Sequence, residues 1–214
     1  MGVTVDPAGN LYVVSGNGGS TDSFDYSNSV IELSPDLAVK SYFAPTNWSS
    51  LSASDTDLGA LGATVLPSAG LVVAVGKDGV AYLLAAGQLG GVGGQKARLQ
   101  LCGGAYGGTA SSDTTVYVPC VDGLYAVSVA APASMSILWH NANIRSASPI
   151  LTAGALWAID PSSATLYAVD PVNGAVRYSL SLGAAVHFST PAATDGFVVA
   201  PAGRNVVAVS VVNG

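Results

Sequence analysis

Charge is scarce in this 214-residue sequence: 9% of the residues are Asp, Glu, Lys or Arg, far below the usual quarter. The net charge is −6, and the seven basic residues are spread singly. With no Lys/Arg cluster to neutralise phosphates, nucleic acid is excluded as a partner. Half of the residues are hydrophobic, which excludes a disordered chain. Long apolar runs are lacking as well. "GLVVAVG" (70–76) and "GVAYLLAAG" (79–87) fall well short of the roughly 20 residues a helix needs to cross a bilayer, so no membrane span is read. The amino terminus lacks a basic region followed by an apolar core, so no signal peptide is read in the chain. Glu32 is the single glutamate, which leaves little for paired-carboxylate chemistry, and no Ser/His/Asp set shows a recognisable spacing. Helical periodicity is missing too: Gly or Pro interrupts every candidate window, which points to an all-β chain.

A repeat is what the sequence does have. Five apolar runs line up: "GNLYVVSGN" (9–17), "GLVVAVGKDG" (70–79), "TVYVPCVDG" (115–123), "ALWAIDPSS" (155–163) and "GFVVAPAGR" (196–204). Each is followed by a second apolar run. From Leu71 to Val116 is 45 positions, from Val116 to Leu156 is 40, and from Leu156 to Phe197 is 41. The first interval, Leu11 to Leu71, is 60, so some twenty residues are inserted there. Each unit opens with a short run of small residues, such as "GGTASS" or "STPAAT", and most close with a further strand such as "VRYSLSL". Four strands per 40–45 residues, joined by Gly, Asp, Asn and Pro turns, predict a β-propeller of four-stranded antiparallel blades. Small side chains suit a first strand that lines a crowded hub, and the bulky middle strands suit the space between blades.

The predicted blades run approximately over 2–44, 60–101, 105–142, 145–183 and 186–214, as one domain. The last is incomplete, since no fourth strand follows "VVAVSVVNG". The expectation is a piece of a larger ring of seven or eight blades, with a self-contained five-bladed ring as the second choice.

The units resemble the repeats of pyrroloquinoline-quinone (PQQ)-like propellers, the superfamily of quinoprotein alcohol dehydrogenases and of the outer-membrane assembly lipoprotein. That repeat reads approximately A-x-D-x-x-x-G-x-x-x-W. "AVDPVNGAVRY" matches through Ala168, Asp170 and Gly174, with Tyr178 in place of Trp. "AVSVAAPASMSILW" (126–139) keeps Ala126 and Trp139 but loses the Asp and Gly. The Asp caps turn amides and the Gly accepts positive φ. The aromatic covers the turn and wedges against the next blade. The resemblance spans nearly the whole chain and implies secreted bacterial members. It implies fold more than activity, because the superfamily holds both enzymes and non-catalytic scaffolds.

The candidate residues are few. Cys102 and Cys120 are the only cysteines. Strand directions place both on one face of the disc. A disulfide between them would stabilise by about 3 kcal/mol in the loop-entropy treatment and imply an extracytoplasmic location: secreted, periplasmic or cell-envelope. The alternative is two small buried thiols. The loop "PTNWSSLSASDTDLGA" (45–60) lies on that same face and offers Trp48, Asp55 and Asp57 as ligand-face candidates. The two Asp residues, at i and i+2, suit a hard cation such as calcium, or else cap loop amides. No metal site is assigned. His140 and His187, 47 positions apart, read as a repeated structural polar residue. "GQLGGVGGQ" (87–95) reads as a flexible turn, and Glu32 as a strand residue meeting solvent or a backbone amide.

No catalytic residue is assigned. The expected function is a non-catalytic scaffold that binds a protein or glycan partner through one face and takes no cofactor. The alternative is a fragment of a PQQ- and calcium-dependent alcohol or sugar dehydrogenase. That reading needs a tryptophan floor under the quinone, and no leading strand supplies one.

Overall fold

The computed structural model describes residues 2–130 and 132–211. They form five antiparallel sheets. Blade 1 comprises Thr4–Val5, Leu11–Val14, Val30–Leu33 and Val39–Ala44. Blade 2 comprises Thr64–Leu66, Leu71–Val75, Val80–Ala85 and Ala97–Gln100. Blade 3 has Ala110–Ser111, Thr115–Cys120, Gly123–Ala130 and Ser134–Asn141, and blade 4 has Ile150–Thr152, Ala155–Asp160, Thr165–Val169 and Val176–Ser181. Blade 5 shows three strands, Ala192–Thr194, Phe197–Ala202 and Asn205–Ser210. The predicted blade also takes in 212–214, which lie outside the described residues.

The first strands of blades 1 to 4 lie side by side in order, so the five sheets stand as an arc around a common hub. Their small hydroxyl residues stitch that hub. Thr4 Oγ1 donates to Ala63 O at 2.7 Å, the Thr64 and Thr109 hydroxyls bond each other, and Gly108 N donates to Ser148 Oγ at 2.7 Å. A larger side chain would hold neighbouring sheets apart where they must converge.

Four apolar clusters fill the four junctions, one each. Tyr12, Val30 and Phe43 of blade 1 meet Val72, Tyr82 and Leu84 of blade 2. Val73, Leu83 and Leu101 of blade 2 meet Val116, Val118 and Val127 of blade 3. Tyr117, Leu124 and Ala126 meet Leu156 and Val169 at the next junction, and Trp157, Ile159 and Leu166 meet Val198 and Ala200 at the last. Adjacent residues on one strand thus serve different junctions: of the blade 2 residues, Leu83 faces blade 3 and Leu84 faces blade 1. This is why the middle strands read as unbroken apolar runs rather than alternating ones. Each buried Val or Leu side chain contributes about 1.5–3 kcal/mol.

The turn motif of blade 4 does the structural work its residues allow. Asp170 Oδ1 accepts from Val172 N at 2.7 Å and Asn173 N at 3.3 Å, and Gly174 adopts φ +75°. The aromatic that covers this turn comes from the preceding blade. Trp139 Nε1 donates to Pro171 O at 3.0 Å, and a Cβ on Gly174 would sit 2.7 Å from the Trp139 ring. Asn141 Nδ2 adds a bond to Gly174 O at 2.8 Å.

Three expectations need correction. The loop 45–60 holds a short α-helix, Trp48–Ala53, and a 3₁₀ turn, Leu58–Ala60. "GQLGGVGGQ" is a turn but a pinned one: Gly91–Val92 pairs in parallel with Phe43–Ala44, adding a fifth strand to blade 1. Glu32 does not meet solvent. It is fully buried, with Lys40 Nζ 3.3 Å from Oε1 and Ser41 Oγ donating to Oε2 at 2.9 Å. An ionised carboxylate in that place needs such partners.

Candidate functional site

Strand direction sends two kinds of connection to the same face of the arc: those from a fourth strand to the next blade, and those between second and third strands. This loop face carries both insertions of blade 1 (15–29 and 45–63), the cysteines and a cleft.

The cysteines are joined. Cys102 and Cys120 form a disulfide with Cα atoms 6.4 Å apart. It links the exit of blade 2 to the second strand of blade 3. The Asp122 carboxylate lies within 4.8 Å of the sulfurs and accepts the Tyr125 hydroxyl at 3.0 Å. While the sulfurs are bonded to each other they are not thiolate ligands, so this trio offers a metal one oxygen ligand.

Trp48, Asp55 and Asp57 come together with residues the sequence did not single out. Lys77, in the turn between the second and third strands of blade 2, puts its ammonium 3.1 Å from Asp55 Oδ2 and 3.5 Å from Asp57 Oδ1. Asn17 Nδ2 donates to Asp55 Oδ1 at 2.9 Å. The hydrogen bond from Lys77 and its charge hold the Asp55 carboxyl below the usual range. The Lys77 ammonium therefore stands between the two carboxylates that would otherwise suit a hard cation. The Asp side chains bond Lys77 and Asn17 rather than loop amides.

Asn28 anchors this region. It is fully buried with φ +50°. It donates to Ser52 Oγ at 2.8 Å and Trp48 O at 3.3 Å, and accepts from Leu58 N at 2.8 Å. An Asn tolerates the left-handed backbone and can satisfy all three bonds. Trp48 packs edge-on against Phe24, with ring centroids 5.3 Å apart. Phe24 in turn touches Tyr26 and stacks on Tyr42. Four aromatic rings thus cluster at one end of blade 1.

The cleft lies between the loops of blades 3, 4 and 5. Its volume is about 210 Å³, and Tyr106, Val121, Arg145, Ser146, His187 and Phe188 line it. Asp160, buried, accepts from Arg145 N at 3.3 Å and from Ser162 N and Ser163 N at 3.3 Å or less. Its carboxylate thereby fixes the loop that presents Arg145. Among the described residues Arg145 forms no ion pair, unlike Lys40, Lys77 and Arg177.

The two histidines are not equivalent, which corrects their reading as a repeated residue. His140 stacks on Tyr125 at 4.0 Å within blade 3. His187 is exposed on the loop between blades 4 and 5 and meets Phe188 edge-on at 4.1 Å. Phe188 is 59% exposed at φ +68°, a rare backbone state for a bulky residue.

No family model and no curated protein matches the sequence. Solved structures do match in fold. BamB from Moraxella catarrhalis aligns with a TM-score of 0.68 at 14% identity, over 99% of this chain and 57% of that one. The β-propeller domain of Cps50 (Swd1) from Myceliophteria thermophila aligns at 0.63 and 11% identity, over 94% and 60%. The computationally designed Ika8 protein aligns at 0.53 and 13%, over 88% and 57%. The chain thus spans little more than half of BamB, and what it has in common with BamB and the Swd1 domain is the β-propeller fold.

Proposed function

We propose that the chain is part of a PQQ-like β-propeller that works outside the cytoplasm as a non-catalytic scaffold and binds a protein or glycan partner through its loop face. The observation that carries the reading is how that face uses its polar groups. Asp55 and Asp57 hold Lys77, Asp160 holds three backbone amides, and His140 lies flat on Tyr125. These groups build loops, and the surface they build is a shaped one with a cleft. The Cys102–Cys120 disulfide supports an oxidising compartment. Trp139 docking on the Asp170–Gly174 turn of the next blade supports the PQQ-like type.

The residues present do not fit the quinone alternative. Trp139 belongs to a fourth strand, Trp157 to a second strand and Trp48 to the helix, so none stands on a hub strand to floor a quinone. The paired Asp55 and Asp57 are bridged by Lys77.

Two measurements test this. Incubation with PQQ and calcium followed by gel filtration is expected to leave no quinone absorbance with the protein; retention overturns the scaffold reading. A photo-crosslinker at Val121, on the loop face, is expected to trap a protein or glycan in the native host, while one at Val172, on the opposite face, traps none. Equal labelling from both positions refutes the choice of face.

A further inference from the structure

We infer that the cleft between blades 3, 4 and 5 is an anchor for an acidic peptide segment: a carboxylate side chain goes to Arg145, and an apolar neighbour packs on Phe188 and Val121. This rests on the protein-binding reading above and assigns it a place and a ligand chemistry.

Size suits a side chain: drug-sized ligands take pockets of about 300–1,000 Å³, and this cleft of about 210 Å³ has room for one or two side chains. Charge decides the sign. The chain carries −6 overall, yet the cleft presents a guanidinium that pairs with no carboxylate among the described residues, beside His187. The nearby acidic groups are already engaged: Asp160 by backbone amides, and Asp122 by the Tyr125 hydroxyl. An arginine fork takes a carboxylate through two parallel hydrogen bonds.

The apolar half is built on a hydrogen-bonded turn. Ser189 is buried, accepts from Val186 N at 3.1 Å through its hydroxyl and donates its own N–H to Val186 O at 3.0 Å. That closed turn holds Phe188 at φ +68° with its ring outward. A strained, exposed aromatic beside an unpaired arginine matches what binding hot spots contain: aromatic and Arg anchors on a fixed surface.

The test is selection of a phage-displayed random dodecapeptide library on the intact chain, then fluorescence anisotropy with the enriched peptides. The expected consensus places Asp or Glu next to Leu, Val or Phe. Arg145→Glu is expected to weaken binding at least tenfold and to recover it when the peptide acid is changed to Lys. Phe188→Gly suits the left-handed backbone; it is expected to keep the melting temperature while weakening binding several-fold. A consensus without acidic residues overturns the assignment. So does binding that ignores both substitutions, although peptides held elsewhere on the loop face leave the protein-binding reading intact. Failure to enrich any peptide overturns this anchor alone, since the crosslinking at Val121 judges the wider reading separately.

Discussion

Gly174→Ala tests how blades 3 and 4 are joined. Gly174 has φ +75°, and an added methyl would meet the Trp139 ring at 2.7 Å. The left-handed backbone alone costs an L-residue about 1–2 kcal/mol. The ring must also retreat, which strains or breaks its hydrogen bond to Pro171 O, a further loss of about 0.5–1.5 kcal/mol, together with part of its packing. The expected destabilisation is about 3 kcal/mol. Gly154 supplies the control. It has φ +67° and no atom within 4 Å of the added methyl, so Gly154→Ala costs only the backbone part, about 1–2 kcal/mol. For a chain of this size each kcal/mol shifts the melting temperature by about 2–4 °C. Circular dichroism melts should therefore separate the two variants by about 5 °C, and in a Trp139→Ala background the separation should vanish. If the two glycine variants lose the same stability, or the gap survives removal of the indole, the docking of Trp139 on blade 4 is refuted.

Three other outcomes follow from the same geometry. Replacing Cys102 and Cys120 by Ala removes a link that closes 18 positions of chain, an expected loss of about 3 kcal/mol; melts with and without dithiothreitol should differ for the native chain and coincide for the variant. Backbone amides first, then Arg177, hold the Asp170 carboxyl below its ordinary value. Its contribution is thus complete above the unfolded carboxylate range, near pH 4, and is lost as pH falls; urea titrations of Asp170→Asn should show a shallower acid loss than the native chain. The Tyr12 phenol, buried beside Glu32, is pushed up to about 12, first by burial and then by the carboxylate charge. Stability should therefore fall between pH 10 and 12 as the unfolded phenol ionises before the folded one, and Tyr12→Phe should flatten that fall.

The blades were legible because their signals are local. Strands such as "TLYAV", turns such as "DPVNG", and the small residues of the hub strands each fit within ten residues. The disulfide was legible because strand direction alone puts Cys102 and Cys120 on one face. The helix at Trp48–Ala53 was not, since a turn and a half buries only Leu51 and shows no period. Burial of Glu32 was hidden for another reason: its partners Lys40 and Ser41 lie on the neighbouring strand, and nothing at Glu32 itself announces them. The cleft was least legible. Tyr106, Arg145 and His187 come from three successive connections some forty residues apart, and only the curvature of the arc brings them together.

Three junctions of the arc have a fastener of their own. Blades 1 and 2 share the parallel pairing of Phe43–Ala44 with Gly91–Val92, blades 2 and 3 a covalent bridge, and blades 3 and 4 the indole on its turn. Among the described residues, blades 4 and 5 meet mainly through side-chain packing around Trp157 and Val198. Nearest-neighbour coupling of this kind makes a repeat array fray from its weakest seam. Amides of Phe197–Ala202 should accordingly lose their deuterium protection before any others of the middle strands, and a chain under tension should shed its carboxyl-terminal blade while the rest stays assembled.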